Sequence, residues 1–310
     1  MRAAVLAAAL LLAGCVTESG PYQAGFPLYL LGSVDVPGGE IHCDFLGGSG
    51  DGVAGAAGNL YFIDYAQGYL RAEVAVGGPI ADVASTADGG YAVAAASDSL
   101  HYVSDQTYLV HDPVPLGGTA VFLFSTWSTM YVLRTDGTVV SVDVTTSPWS
   151  VAGEQETGIA GVEAAAFDPD RSSLFLAAGG KLYKLSVPSL EVLAQDDVSV
   201  EAIDLCAPGN DRVYLIPEGS NRIWEMSAGT CAKLSELSLP GVGTSLGAMP
   251  SGSQVYAGCE GRGLLVLESS TGTVVGQYGG ISAPGDIAVS TDGARALIGL
   301  PYDCKVQMLN

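Results

Sequence analysis

The sequence predicts an all-β fold, a seven-bladed β-propeller with four antiparallel strands in each blade. Three observations favour it. An apolar run ending in a small polar or acidic residue recurs seven times, turns rich in Gly, Pro, Asn and Asp separate short apolar runs, and no segment beyond residue 15 keeps the apolar spacing of a helix. The recurring runs are 39 to 43 residues apart and end at residues 64, 104, 143, 186, 227, 268 and 310. Four short strands repeated at such a period are typical of propeller blades.

Each repeat carries the signals of four strands. The recurring run, such as residues 60–64, is the third strand. The first strand lies about twenty residues earlier, as at 286–289, and a turn such as Thr291-Asp292-Gly293 leads to the second strand. A fourth strand follows the recurring run, as at 70–76. Stacking these sheets around an axis buries both faces of every blade, which a lone four-stranded sheet cannot do.

The two ends of the repeat region predict how the ring closes. The seventh unit stops after its third strand at Asn310, while residues 28–36 form a strand with no unit of its own. We therefore expect the N-terminal strand to complete the last blade. This arrangement resembles WD-repeat and YVTN-type propellers over residues 27–310, although the WD dipeptide itself is missing. The N-terminal strand should begin on the face that carries two turns of each blade, the turn between strands one and two and the turn between strands three and four.

The chain begins with a segment typical of exported bacterial proteins. Arg2 supplies a positive charge, and the apolar run 3–12 is too short to span a bilayer. The four residues Leu12-Ala13-Gly14-Cys15 resemble the lipobox of bacterial lipoproteins. The resemblance implies cleavage before Cys15 and acylation of that residue, which would hold a folded domain on a membrane. The alternative is an unmodified exported protein with a coincidental cysteine.

These features divide the chain into a lipoprotein signal peptide (1–14), a lipidated tether (15–26) and the propeller (27–310). The tether is polar and contains Gly and Pro, a composition typical of flexible linkers. Val16 follows the acylated position, where an Asp would favour retention at the inner membrane in enteric bacteria. The sequence thus predicts a lipid-anchored protein of the bacterial cell envelope, with the outer membrane favoured.

The charge balance narrows the choice of partners. The chain has 12 Lys plus Arg against 33 Asp plus Glu, a formal net charge of −21. Nucleic-acid binding is excluded, because phosphate contacts require basic surface. Such an acidic body would also bind anionic lipid poorly by charge alone. The acyl group at Cys15 is therefore expected to provide the membrane attachment.

Five carboxylates stand at or just before the innermost strands of five units: Asp44, Asp82, Glu163, Glu201 and Asp286. On a ring they are expected to converge at the channel mouth that points away from the membrane. There they could hold Ca²⁺ or a basic partner, or they could be solvated or cap local turns. Loops of the same face carry six further candidates for contact with a partner: Asp98, Arg134, Arg222, Glu260, Arg262 and Asp303.

Little in the chain points to catalysis. Residues 243–247 match G-x-S-x-G, but no helix is expected to follow them, so they indicate a Gly-rich entry to a strand. The three histidines, His42, His101 and His111, show no paired spacing of metal ligands. Trp127 is expected in the third blade together with Trp149, where packing between blades is favoured over stacking on a ligand.

Five cysteines remain besides Cys15, and no C-x-x-C pair occurs among them. Cys43 and Cys304 are expected on the same face of adjoining blades, where a disulfide would join the closing seam. Cys259 could compete for Cys304, and buried free thiols are an equal alternative.

We therefore expect a monomeric, membrane-anchored envelope lipoprotein that binds or scaffolds a protein, peptide or glycan and performs no catalysis. The alternative is a metal-dependent propeller enzyme, lactonase-like or quinone-dependent, that uses the central channel. Those enzymes require sets of channel ligands or Trp-rich blades, and three scattered His with three Trp argue against both. Apart from Ca²⁺ at the acidic residues, the sequence predicts no cofactor.

Overall fold

The computed structural model describes residues 29–47, 50–290 and 292–310. The predicted signal peptide, the predicted lipidation site Cys15 and the predicted tether lie outside these residues. Every regular element of the described residues is a β-strand, and the 28 strands form seven four-stranded antiparallel sheets. The prediction of an all-β, seven-bladed propeller is confirmed.

Each blade runs from an inner strand next to the axis to an outer strand at the perimeter. The inner strands are β2 (Ile41–Phe45), β6 (Ile80–Ser85), β10 (Ala120–Ser125), β14 (Val162–Phe167), β18 (Ala202–Cys206), β22 (Gly243–Ala248) and β26 (Asp286–Val289). The second strands are β3 (Gly52–Ala56), β7 (Tyr91–Ala96), β11 (Thr129–Arg134), β15 (Ser173–Ala178), β19 (Arg212–Pro217), β23 (Gln254–Cys259) and β27 (Ala296–Leu300). The third strands are β4 (Asn59–Asp64), β8 (Ser99–Ser104), β12 (Thr138–Asp143), β16 (Lys181–Ser186), β20 (Arg222–Ser227), β24 (Gly263–Glu268) and β28 (Lys305–Leu309). The outer strands are β5 (Tyr69–Ala75), β9 (Val114–Pro115), β13 (Ser150–Glu156), β17 (Val192–Asp197), β21 (Lys233–Ser238), β25 (Val274–Tyr278) and β1 (Leu30–Asp35).

The first strand of the described chain closes the ring. β1 pairs antiparallel with β28, so that Leu30 lies opposite Leu309 and Val34 lies opposite Val306. The seventh blade is therefore built from β26, β27, β28 and β1. The predicted completion of the last blade by the N-terminal strand is confirmed.

Apolar side chains fill the spaces between neighbouring blades. Leu100 of the second blade and Val132 of the third belong to one buried cluster, and both are fully shielded from solvent. Second strands are covered on both faces, which is why β7 and β15 read as continuous apolar runs rather than alternating ones. Only β9 is much shorter than the other outer strands of the described chain, because Pro113 and Pro115 have no N–H to donate.

The two ends of the ring differ in the turns they carry. The distal face carries the turns between second and third strands and the links between blades. The tether face carries the turns between first and second and between third and fourth strands. Tyr29 donates its N–H to the Asn310 carbonyl at 3.0 Å on the tether face, and Val36 donates to the Cys304 carbonyl at 3.0 Å on the distal face. β1 therefore begins on the tether face. None of the described residues belongs to a helix that could cross a membrane.

Tyr65 strengthens the closing seam from the first blade. Its buried hydroxyl donates a hydrogen bond to the backbone carbonyl of Leu309 in the last blade. The Arg295 guanidinium lies 5.4 Å from the centre of the Tyr65 ring and donates a hydrogen bond to the Gly50 carbonyl at 3.1 Å. These contacts connect the first and last blades near the tether face.

We expect Tyr65→Phe to lower the free energy of unfolding by about 1 to 2 kcal/mol, because a buried carbonyl loses its hydroxyl partner. Chemical denaturation monitored by circular dichroism measures this. Tyr302→Phe is the matched control, since Tyr302 is 83% exposed and its hydroxyl makes no hydrogen bond within the described chain. Equal stability of the two variants would contradict a role for the Tyr65 hydroxyl in closing the ring.

Candidate functional site

The inner strands surround a central channel with a cavity of about 1050 Å³. Parts of all seven inner strands line it, and near the tether face its wall includes turn residues such as Thr86, Pro208 and Asp292. Four aspartates contribute to the wall: Asp44, Asp82, Asp204 and Asp286. We call these four the channel aspartates.

Three channel aspartates occupy equivalent places in their inner strands and link neighbouring blades. One carboxylate oxygen of Asp82 accepts a hydrogen bond from the N–H of Val83 at 2.8 Å, and the other accepts from Leu123 of the next blade at 2.7 Å. The same two bonds recur, at 2.6 or 2.7 Å, from Leu205 and Leu246 to Asp204 and from Ile287 and Cys43 to Asp286. Each carboxylate thus satisfies one N–H in its own blade and one in the following blade.

Asp44 makes the same kind of link closer to the tether face. Its carboxylate accepts hydrogen bonds from its neighbour Phe45 at 2.8 Å and from the N–H of Ser85 in the next blade at 2.7 Å. The Ser85 hydroxyl returns a hydrogen bond to the Phe45 carbonyl at 2.8 Å. The place in β2 that is equivalent to Asp82 belongs to His42.

The two predicted glutamates lie elsewhere. Glu163 is outside the channel lining and joins the fourth and fifth blades, because its carboxylate accepts from the N–H groups of Gly179 at 3.2 Å and Ala202 at 2.9 Å. It is the residue skipped by the β-bulge between Val162 and Ala164, which turns its side chain away from the channel. Glu201 is exposed, and its carboxylate has no hydrogen-bond partner among the described residues. The structure therefore brings three of the five predicted carboxylates into the channel, together with Asp204.

Glu163 and Glu201 provide a matched test of this difference. We expect Glu163→Ala to lower the free energy of unfolding by about 1 to 2 kcal/mol, since two N–H groups at a blade junction lose their acceptor. Glu201→Ala should change it by no more than about 0.5 kcal/mol, as is usual for exposed residues without a partner. Denaturant titration of the two variants decides the point, and equal losses would show that Glu163 is no more structural than Glu201.

Burial in the narrow channel disfavours the charged form of its aspartates. It raises the pKa of Asp44 to about 6 and the pKa of Asp82 and Asp204 to about 7. Burial also raises the pKa of Asp286, while the negative charge of Asp286 adds to the increase at the other three. The N–H groups that they bind favour the carboxylate form but do not offset the loss of solvent. Near neutral pH the channel thus carries fewer charges than its four aspartates could supply.

Two basic side chains face these carboxyl groups. The Nδ1 atom of His42 lies 4.0 Å from a carboxylate oxygen of Asp82, and its buried Nε2 atom has no hydrogen-bond partner in the described chain. Arg171 lines the channel near the tether face, and the charge of Asp44 acts on its guanidinium. Burial lowers the pKa of Arg171, and its Nη1 atom has no partner among the described residues.

The channel aspartates do not form a shared cation site. Among the described residues, no group of three or more His, Cys, Asp or Glu side chains is close enough to hold a metal ion. Both oxygens of each channel aspartate already accept backbone hydrogen bonds, so a Ca²⁺ ion would have to displace blade-to-blade links to gain ligands. The arrangement fits a structural role for these carboxylates better than the Ca²⁺ site considered from the sequence.

The predicted disulfide is not formed in the structure. Cys43 is a buried free thiol among apolar side chains of the first and seventh blades, and Cys304 is a free thiol in an exposed turn of the seventh blade. Cys259, the competing partner, is also free and buried. Burial raises the pKa of the Cys43 thiol well above its usual value, and the charges of Asp286 and Asp44 raise it further.

The G-x-S-x-G segment holds no exposed nucleophile. Ser245 is fully buried in β22, at the place equivalent to Asp82 and Asp204, and its hydroxyl donates to the Pro284 carbonyl at 3.1 Å. Thr244 donates to the same carbonyl at 2.7 Å. These hydroxyls thus link the sixth and seventh blades where other junctions use a carboxylate.

The remaining histidines belong to the second blade and pack against aromatic rings or lie in a strand. The rings of His111 and Trp149 stack on the two sides of Tyr102, with centroid distances of 4.7 and 3.9 Å. His101 is part of β8. Trp149 therefore packs between blades, whereas Trp127 is 80% exposed in a turn of the tether face.

The six predicted loop residues lie on the distal face, and several bind their own neighbourhood. Arg134 forms ion pairs with Asp136 and with Glu154, the latter at 3.3 Å. The other local bonds join Arg222 to the Ser238 hydroxyl at 2.7 Å, Asp303 to the Ser282 N–H at 2.9 Å, and Asp98 to the Ser99 hydroxyl at 3.2 Å. Glu260 and Arg262 are exposed. Sequence reasoning missed Tyr302, which stands beside Asp303 and is 83% exposed.

No family model matches the chain, and no curated protein matches it in sequence. Solved structures do match in fold. A chain in the crystal structure of the mitotic checkpoint complex superposes with a TM-score of 0.75 and 13% identity, covering 94% of this chain and 95% of that one. The Cps50 (Swd1) β-propeller domain of Myceliophteria thermophila gives a TM-score of 0.73 and 10% identity, covering 91% of this chain and 99% of that one. At such identities the likeness shows the fold alone, a seven-bladed propeller resembling those of WD40 proteins.

Proposed function

We propose that the protein is an envelope lipoprotein, acylated at Cys15, whose propeller binds a partner through the distal face without catalysing a reaction. One observation carries the proposal: β1 begins on the tether face, where Tyr29 pairs with Asn310. An anchor at Cys15 would then leave the opposite face free for a protein, peptide or glycan of the envelope. The outer membrane is the proposed location, and the propeller is proposed to act as a monomer.

The chemistry of the distal face supports a binding role. Tyr302 offers a large ring with a polar tip, a combination enriched at protein interfaces, and Glu260 and Arg262 are exposed at the equivalent turn of the sixth blade. The one serine in a nucleophile-like motif, Ser245, is buried and hydrogen-bonded to the backbone. One similar propeller chain comes from the crystal structure of the mitotic checkpoint complex, and its place in a complex agrees with a binding role for this one.

The anchor is tested first. Mass spectrometry of the protein purified from membranes should find a diacylglyceryl group on Cys15 as the first residue of the mature chain. Cys15→Ser should move the protein from the membrane fraction to the soluble fraction. An unmodified Cys15, or a Cys15→Ser variant that stays with the membrane, would contradict the proposed anchor.

The distal face is tested with a photo-cross-linking amino acid at Tyr302 in living cells. The matched position is Trp127 on the tether face, which is 80% exposed against 83% for Tyr302. We expect discrete cross-linked protein or glycan bands from Tyr302 and none of the same size from Trp127. The same bands from both positions would argue against a distal binding face, and a stoichiometric metal in the purified protein would argue against a non-catalytic role.

A further inference from the structure

Exposed apolar side chains are gathered at one edge of the propeller. Of the thirteen large apolar side chains that the described residues expose, eleven lie at the perimeter or in the turns of the tether face. Six blades contribute to this set, and we call the most exposed member of each the apolar rim: Tyr29 (61%), Tyr69 (51%), Leu109 (57%), Trp127 (80%), Leu193 (58%) and Leu234 (49%). Isolated exposed apolar residues are normal on a protein, but a ring of them confined to one edge marks an interaction surface.

Several of the outer strands at this edge change from apolar to acidic residues along their length. β17 begins with Val192 and Leu193 on the tether face and ends with the exposed Asp196 and Asp197 toward the distal face. The outer strands β1 and β5 show the same order, with apolar residues at the start and an exposed carboxylate in the distal half at Asp35 and Glu73. In β13 and β21 the exposed apolar residue, Val151 or Leu234, stands second in the strand, after Ser150 or Lys233, and an exposed carboxylate follows in the distal half at Glu156 or Glu236. The usual alternation of buried and exposed residues along a strand does not explain this change from apolar to acidic residues, because it repeats every two residues and the change runs from one end of the outer strand to the other.

We propose that the apolar rim rests on the lipid surface of the membrane that carries the anchor, so that the propeller lies with its tether face against the bilayer; this rests on the proposed acylation of Cys15. Lipid is the fitting occupant because the chain enters on this face, and the fourteen residues from Cys15 to Tyr29 span at most about 50 Å. Aromatic and aliphatic side chains such as Trp127 and Leu193 gain by entering the boundary between head groups and acyl chains.

The distribution of charge supports the same orientation. A chain of net charge −21 is repelled by anionic head groups, and the gradient along the outer strands moves carboxylates away from the surface that the rim would touch. Carboxylates on the tether face cap turns, as Asp88 does for the N–H of Gly90 near the channel and Asp64 does for the N–H of Gln67 nearer the perimeter. The contact would thus be apolar rather than electrostatic, and a zwitterionic lipid is the appropriate probe.

Tryptophan fluorescence can test the contact in the full-length mature protein. The chain has three tryptophans, of which only Trp127 is strongly exposed, while Trp149 is buried and Trp224 half-buried beneath Lys233. The protein is reconstituted into phosphatidylcholine vesicles with brominated acyl chains, which quench rings that enter the bilayer. We expect quenching in the unmodified protein and its loss in Trp127→Phe.

The distal face supplies the matched control. Tyr302→Trp in the Trp127→Phe background puts a ring of similar exposure on the far side of the propeller, and it should not be quenched. Leu193→Asp combined with Leu234→Asp should remove most of the quenching at Trp127 while leaving the thermal midpoint unchanged, since both side chains are about half exposed. Quenching at position 302, or undiminished quenching in the double variant, would overturn the proposal.

Flotation of the same samples separates this proposal from the anchor. Protein that floats with the vesicles but shows no quenching at Trp127 overturns the rim contact and leaves the anchor standing. Protein that stays unbound, with no quenching at a large excess of lipid, overturns both. Quenching that persists after Cys15→Ser, at a higher lipid concentration, supports a rim that contacts lipid by its own apolar area.

Discussion

Deletion of residues 29–35 is expected to abolish the cooperative unfolding of the propeller and to produce dimers and larger aggregates. β1 supplies the only neighbour of β28 on the outer side of the last blade, within the described chain. Without it the N–H and carbonyl groups of β28 form an open edge, and open edges pair with other chains. Val34, which is buried with Val306 and Met308 at the junction of the first and last blades, is also lost. Light scattering after size exclusion and a thermal melt followed by circular dichroism measure both effects.

A peptide of residues 29–36 should rescue the deleted protein. Added in trans, it can pair with β28 in the register Val34 to Val306 and restore a monomer with a cooperative melt. The same peptide with Val34→Asp is the matched control and should not restore it, because the carboxylate would enter a buried cluster. A deleted protein that stays monomeric and melts at the original midpoint would show that β1 does not close the ring.

The strands could be predicted because each recurring apolar run in the sequence ends in a small polar or acidic residue, and such residues are typical of the turns that follow strands. Six of the seven third strands end at the expected residue, from Asp64 to Glu268, and the last ends at Leu309, one residue earlier than expected. The alternation of apolar runs and turn residues is a local signal, so a single sequence contains it. The shortness of β9 is local too, since Pro113 and Pro115 interrupt the fourth strand of the second blade.

The channel was harder to predict, because its composition depends on bulges and on contacts across blades. A bulge follows the first residue of β6, β10, β14, β18 and β22, so a shift of one residue decides which side chain enters the channel. Glu163 falls on the bulge and leaves the channel, while Asp204, two residues after the first residue of its strand, enters it. The signal for Asp204 is present in the sequence. Asp204-Leu205, like Asp82-Val83 and Asp286-Ile287, is an Asp followed by a branched apolar residue, at a similar distance before the third strand of its blade.

The chemical role of the carboxylates required the structure itself. Five acidic residues near one axis predict repulsion or a shared cation when only their positions are known. In the structure Asp82 instead accepts two backbone N–H groups, one from Val83 and one from Leu123, about 41 residues away in the chain. No local sequence pattern predicts a hydrogen bond of that kind, because the bond depends on how closely two blades approach each other at the axis.

Lowering the pH from 8 to 5 is expected to stabilise the propeller. The pKa of Asp82 and Asp204 is about 7 in the folded chain and that of Asp44 is about 6, all raised by burial, while an unfolded Asp has a pKa of about 3.9. In this window the folded state binds protons that the unfolded state has released. Stability therefore rises as the pH falls through the folded pKa values, and the gain is complete below the unfolded value. Each aspartate with a pKa of about 7 should contribute on the order of 2 kcal/mol between pH 8 and pH 5.

Other carboxylates act in the opposite sense at lower pH. The Arg134 guanidinium lowers the pKa of Asp136 to about 2, and hydroxyl and N–H donors lower the pKa of Asp88 and Asp292. The stability that these groups contribute is present above the unfolded pKa of about 3.9 and is lost as the pH falls below it. The two sets together predict a maximum of stability near pH 5, with a decline on both sides. Denaturant titrations at half-unit intervals of pH measure the profile.

The channel aspartates must be separated from the general repulsion of a chain whose net charge is −21, since acid relieves that repulsion as well. Asp82→Asn combined with Asp204→Asn removes two titrating groups from the channel and should flatten the gain between pH 8 and pH 5 by about half or more. Asp98→Asn removes one exposed aspartate of the distal face and should leave the slope unchanged. If the double variant and Asp98→Asn keep the same slope, whole-chain charge explains the profile. If the slope is lost only in the double variant, protonation within the channel stabilises the contact between blades.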